Sequence, residues 1–112
     1  MNVLNRIELF RLRREARTAR WKASPDHRRL LDRLCADGWQ SADGDVEKAA
    51  LTTRRTLETL VAENRVSIDP ATILFLVQIA IAIYKLLKAS GLLSTTPEAI
   101  VAMLDDEDDT NG

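Results

Sequence analysis

The sequence predicts an all-α protein, a small bundle of four to five helices, and three observations lead to that prediction. Hydrophobic residues make up 46% of the 112 residues but aromatic residues only 4%, so the apolar material is mainly Leu, Ile, Val and Ala. The three prolines and four glycines are few, and each stands where a helix would begin or end. Apolar residues also recur with the 3.6-residue helical period. A chain of this length suits one domain.

Charge and helix-start signals divide the chain into a basic N-terminal helix or arm at 1–23, a helical domain at 24–104 and an acidic tail at 105–112. Residues 1–33 hold ten Arg or Lys against four acids, whereas the remaining residues hold six against thirteen. The tail contains five consecutive acids and is predicted to be disordered. Such asymmetry is typical of proteins that contact nucleic acid, anionic surfaces or further copies of themselves.

The N-terminal helix is predicted over about residues 2–22, protruding from the bundle. At 100° per residue it has two apolar flanks, formed by Val3, Ile7, Phe10 and Trp21 and by Leu9, Leu12, Ala16 and Ala19. An arginine ridge lies between the flanks. We expect this ridge to contact an acidic partner or nucleic acid, chiefly through Arg6, Arg13, Arg14, Arg17 and Arg20. A solvated or intersubunit charged face is the alternative.

Four further helices follow from their start and stop signals. The second begins at Ser24-Pro25-Asp26 and is predicted to stop at Gly38, before a loop at 39–45. The third covers about 46–63, and the fourth runs from the Asp69 cap to about Ser90. The fifth begins at Thr95-Thr96-Pro97-Glu98.

Catalysis, cofactor binding and metal binding find no support in the sequence. The single cysteine, Cys35, lies in an apolar helical pattern and is expected to be buried, and the single histidine, His27, lies beside two arginines. No glycine belongs to a phosphate-binding loop. We therefore expect a protein that is not an enzyme. The N-terminus has no apolar secretory region, which predicts an intracellular or virion location.

The segment 70–90 is the most apolar part of the chain and allows two interpretations. The fifteen residues between Asp69 and Lys85 contain only two polar side chains, but as a helix they span about 22 Å, less than the ~30 Å hydrocarbon core of a bilayer. Because the segment is shorter than this core, a single membrane span or membrane anchor is the alternative and not the favoured interpretation. The favoured prediction is a homo-oligomer joined through one broad face: Ile73, Leu76, Val77, Ala80, Ile83, Tyr84 and Leu87. A narrower face holds Ala71, Gln78, Ala82, Lys85 and Ser90.

A second alternative is a DNA-binding helix-turn-helix in residues 46–68. It would have a turn at 51–53 and would present Arg54 and Arg55 on the recognition helix. The uninterrupted apolar period from Val46 to Val61 favours one continuous helix instead.

One further feature is the helix start Ser67-Ile68-Asp69-Pro70-Ala71-Thr72-Ile73-Leu74, which leads into an Ile-, Leu- and Ala-rich helix. Another is the basic front and acidic end of the chain. Together they resemble small accessory proteins of tailed bacteriophage particles. The resemblance covers about a quarter of the chain and transfers no catalytic residue. The resemblance implies a structural protein that belongs to a larger protein assembly and is located in a virion. Together the patterns predict a helical structural or interaction protein that self-associates through 70–90.

Overall fold

The computed structural model describes residues 3–105, with side chains from residue 6 onward, and this part of the chain consists of five helices and their connections. The predicted all-α class is confirmed. The helices are α1 (Val3–Trp21), α2 (Pro25–Gln40), α3 (Val46–Ala62), α4 (Pro70–Ala89) and α5 (Pro97–Leu104). The predicted acidic tail beyond Asp105 lies outside the described residues.

The starts of α2 to α5 follow the predicted capping chemistry. In each case the side-chain oxygen of the N-cap residue accepts a hydrogen bond from the backbone N–H three residues later, and the caps are Ser24, Asp45, Asp69 and Thr96. Hydrogen bonds from Thr72 hold the pKa of the Asp69 carboxyl below its ordinary value. A proline occupies the first turn of α2, α4 and α5, where its missing N–H leaves no helical hydrogen bond unmade.

The prediction that α2 stops at Gly38 is wrong, because the helix continues to Gln40. Gly38 is needed for close packing rather than for a turn. A Cβ atom at this position would lie 2.6 Å from the Tyr84 hydroxyl oxygen of α4. The additional helical residues place Trp39 in the core, where its ring stacks on Tyr84 with centroids 5.6 Å apart. The Trp39 Nε1–H donates to the carbonyl oxygen of Leu92, 2.7 Å away.

The segment considered as a helix-turn-helix forms one continuous helix, α3, with no turn at 51–53. Thr53, in the middle of α3, is buried and donates its hydroxyl hydrogen bond to the carbonyl oxygen of Ala49. The helix ends as expected near Asn64, which adopts a left-handed φ of 59°.

The fold is organised around α4, which packs against α1, α2 and α3, while α5 packs against α2 and α1. Nine α4 side chains are buried, and they supply the largest share of the core: Ile73, Leu76, Val77, Ile79, Ala80, Ile83, Tyr84, Leu86 and Leu87. The remaining side of α4 is open to solvent. The bundle therefore has one dominant core helix with an exposed strip.

Candidate functional site

The seven residues predicted to join copies of the protein all lie in the interior of a single chain. Ile73, Leu76, Val77, Ala80, Ile83, Tyr84 and Leu87 are each at most 9% exposed. The prediction that these residues contact another copy does not fit this fold, because α1, α2 and α3 together cover this face of α4. These residues offer no surface to another copy in this fold.

The predicted narrow face of α4 is the side that reaches solvent. Gln78 and Lys85 are exposed and Ala82 is half-buried. Beside them, two large apolar side chains that were not assigned to this face are also exposed: Leu74 by 49% and Phe75 by 39%. The exposed strip of α4 is thus mixed, with apolar residues toward its N-terminal half and lysines toward its C-terminal end.

An open groove runs between this strip and α3. Its volume is about 720 Å³, and its floor is formed by Val46, Ala50 and Ile81. Acidic side chains, Asp45 and Glu47, line the α3 side. Lysines line the α4 side, at positions 85 and 88. Because the start of α3 lies beside the end of α4, the two helices are antiparallel.

A second and smaller cleft of about 230 Å³ lies between the C-terminal half of α3 and the first turns of α4. Its walls here are Arg54, Glu58, Val61, Pro70 and Leu74. Arg54 and Glu58 form an exposed ion pair of 3.7 Å between Nε and Oε2, which contributes little to stability. We call the first and larger cleft, lined by Asp45, Glu47, Ile81, Lys85 and Lys88, the α3–α4 groove.

The five arginines predicted to contact an acidic partner are not equivalent. Arg6 and Arg14 are exposed, and Arg13 and Arg17 are half-buried. Arg20 is buried, so the prediction that it contacts an external partner does not fit this fold. Its Nε and Nη2 donate to the two carboxylate oxygens of Asp32 at 2.9 and 2.7 Å.

The Arg20–Asp32 ion pair joins α1 to α2 inside the bundle. The paired side chains are only 10% and 5% exposed. The hydrogen bonds from Arg20 to Asp32 raise the pKa of the guanidinium above its ordinary value, against the opposing effect of burial. Sequence spacing contained no signal for this pair, since its members lie twelve residues apart on different helices.

A second polar cluster lies between α2, α3 and α4. The hydroxyl oxygens of Thr53 and Tyr84 are 2.6 Å apart, and since Thr53 donates to Ala49, the Tyr84 hydroxyl is the donor between them. Burial raises the pKa of the adjacent Cys35 thiol to about 12 and also raises that of Tyr84. A buried thiol that stays protonated is a poor nucleophile, so this cluster serves packing.

A metal site would need clustered ligand side chains, and a membrane span would need a long apolar helix. Within 3–105, no group of three or more His, Cys, Asp or Glu is placed to hold a metal ion. One helix in this range, Pro70–Ala89, has the length and mean hydropathy of a membrane span, but half of its most apolar window is buried inside the fold. The core helix of a bundle has these same properties.

The described part of the surface therefore presents two candidate sites, the α3–α4 groove and the solvent-facing side of α1. Comparisons with known proteins add no identity, since no family model, no curated protein and no solved structure matches this chain.

Proposed function

We propose that the protein is a non-enzymatic helical interaction protein that self-associates through the α3–α4 groove. The observation that carries this proposal is the arrangement of charge around the groove. Acids line one side and lysines the other, over an apolar floor. A surface with this pattern is complementary to itself.

A two-fold axis running along the groove satisfies this complementarity. It places α3 of one copy over α4 of the other, with both ends in register, so that Glu47 of each copy faces Lys85 and Lys88 of its partner. The exposed Leu74 and half-buried Ile81 then enter a shared apolar seam. The product is a four-helix arrangement of two antiparallel pairs, in which the remaining apolar strip of α4 is covered.

An accessory role in a virus particle is one specific version of this proposal. It is supported by the resemblance of the α4 start to small phage accessory proteins. A self-associating helical unit is a suitable building block for such a particle.

The two alternative functions have less support. A helix-turn-helix needs a turn that α3 does not contain. A membrane-spanning α4 would have to leave the buried Tyr84–Thr53 hydrogen bond and the stacked Trp39. DNA binding through α3 and membrane insertion of α4 stay predictions, and neither is favoured by a specific contact.

The test is the mass of the detergent-free protein by size-exclusion chromatography with light scattering. We expect a mass of twice the 12.6 kDa chain at micromolar concentration. Ile81→Glu places a charge on the groove floor and should give the monomer mass. The matched control is Leu93→Glu, at a position 74% exposed and outside the groove, which should remain dimeric.

Wild-type protein that stays at the monomer mass throughout this concentration range would refute self-association. A dimer that survives Ile81→Glu but dissociates with a substitution elsewhere would refute the groove as its interface. Circular dichroism of each variant establishes that the helices remain folded.

A further inference from the structure

The solvent-facing side of α1 carries a second pattern that self-association does not use. We define the outer face of α1 as Ile7, Phe10, Arg11, Arg14, Thr18, Trp21 and Lys22. At 100° per residue these seven positions fall within about 120° of the helix circumference. All seven are exposed, including three large apolar side chains, Ile7 by 59%, Phe10 by 42% and Trp21 by 61%.

The packing of α1 explains why its largest apolar side chains point outward. Its inner side is filled by small residues, with Ala16 completely buried, and by the Arg20–Asp32 ion pair. Half-buried Leu9 and Leu12 complete that side. Ile7 and Phe10 therefore remain exposed near the start of α1, and Trp21 remains exposed near its end, about 16 Å further along the helix. Large exposed apolar side chains on one helix face mark an interaction site.

Basic side chains accompany these three apolar ones on the same face. Arg14 lies between Phe10 and Trp21, and Arg11 and Lys22 follow one edge, all three exposed. Arg11 is paired with Glu8 at 2.8 Å, but both side chains are more than half exposed, so this pair separates at little cost. The guanidinium of Arg28 lies 4.2 Å from the centre of the Trp21 ring, which brings a further cation to the same end of α1.

The apolar and basic side chains of this face fit three classes of partner unequally: nucleic acid, protein and an anionic bilayer. A nucleic acid would use the cations and stack on the aromatic rings, but its phosphate backbone has no place for Ile7. A protein partner would need acids placed to meet Arg14 and Lys22 together with separate apolar clefts for Phe10 and Trp21. The interface of an anionic bilayer accepts apolar side chains about 5–10 Å deep, while Arg and Lys extend along the surface to the phosphates.

From these observations we propose that the outer face of α1 docks on an anionic lipid surface, with α1 lying in the plane of the interface. Ile7, Phe10 and Trp21 enter the headgroup region, and Arg14 and Lys22 bind lipid phosphates. The contact is peripheral and reversible, and it leaves α4 within the bundle. It is independent of the α3–α4 groove.

Vesicle flotation tests this proposal with the full chain. We expect the protein to float with vesicles of phosphatidylcholine and phosphatidylglycerol, to remain unbound with phosphatidylcholine alone, and to be released by high salt. Phe10→Ser and Trp21→Ser should each weaken binding about tenfold, because each removes the burial of one large side chain. Arg14→Gln should weaken it about fivefold.

The matched control is Leu93→Ser, which removes an even more exposed apolar side chain outside α1 and should bind like the wild type. The Ile81→Glu groove variant should also bind, which separates this proposal from self-association. Fluorescence provides an independent readout. Trp39 is already fully buried, so a blue shift on vesicle addition must arise from Trp21 and should disappear in Trp21→Phe.

Four outcomes would overturn the proposal. They are equal binding to neutral and anionic vesicles, no binding to either, unchanged binding in the Phe10 and Trp21 variants, and salt-resistant membrane retention, which would indicate insertion of α4. Tighter binding to a single-stranded or duplex oligonucleotide that is lost in the same α1 variants would assign the face to nucleic acid instead.

Discussion

Helices α1 and α4 have nearly the same length, 19 and 20 residues, but they use their apolar side chains in opposite ways. In α4 the large side chains point inward and the exposed strip contains small or polar residues among a few apolar ones. In α1 the inward side combines alanines, an ion pair and the half-buried Leu9 and Leu12. Ile7, Phe10 and Trp21 face solvent.

This difference follows from position in the bundle. Helix α4 has neighbours on three sides, so burial of large side chains is its main contribution to stability. Helix α1 packs at the periphery, and its small inward residues allow close approach to the core. The contrast indicates that the apolar residues of α4 maintain the fold, while those on the outer face of α1 are available for binding.

The largest expected effect concerns the polar contact that anchors α1. Asp32→Ala leaves the buried Arg20 guanidinium without its carboxylate and should lower the free energy of unfolding by about 3–5 kcal/mol. Urea unfolding measures this. Glu8→Ala, which breaks the exposed pair with Arg11, is the control and should change stability by less than about 1 kcal/mol. Equal effects of the two substitutions would contradict a buried anchor.

The second prediction concerns α1, whose small residues face the core while large apolar ones face solvent. Ala16→Leu adds volume at a fully buried position and should destabilise the protein by about 1–3 kcal/mol. Ile7→Ser, on the outer face, should change stability by no more than about 0.5 kcal/mol. Thermal unfolding compares the two variants. A destabilising Ile7→Ser with a neutral Ala16→Leu would mean that α1 packs through its other side.

The close approach of α2 and α4 at Gly38 gives the third prediction. Gly38→Ala should destabilise the protein by about 1–3 kcal/mol, because the new Cβ meets the Tyr84 hydroxyl. In a Tyr84→Phe background that oxygen is absent. There the same substitution should be neutral or stabilising by up to about 1 kcal/mol, owing to the helix propensity of alanine. Strictly additive effects in this double-mutant cycle would disprove the contact.

The smallest expected effect on the free energy of unfolding at neutral pH comes from the thiol that is buried in α2, beside α4. The unfolded thiol loses its proton near pH 9.0, whereas the folded one keeps it to about 12. The folded state therefore binds more protons in this interval, and stability should fall with rising pH by up to about 1.4 kcal/mol per unit. Cys35→Ala should reduce this slope. Denaturant unfolding between pH 8 and 11 measures it, and an unchanged slope in the variant would exclude the thiol as its source.

The sequence determined the helical class, the starts of α2 to α5 and the most apolar helix. These features depend on local chemistry, because a capping side chain and a proline act on backbone groups within three or four residues. The prediction that α2 stops at Gly38 is wrong for the same reason. A glycine after an apolar helical run has the local signature of a stop, and the requirement for it comes from Tyr84, which is distant in sequence.

Only the tertiary structure decided which apolar side chains are buried and which surfaces remain for binding. Two faces of α1 have helical periodicity, and the sequence contains nothing that selects the alanine side over the side with Phe10 and Trp21. The Arg20–Asp32 pair contributes to that choice, together with the close packing that alanines permit. The sequence likewise predicts that the broad face of α4 contacts a second copy, although three helices of the same chain cover it. Burial depends on the combined surface of all neighbours, which no single helical pattern contains.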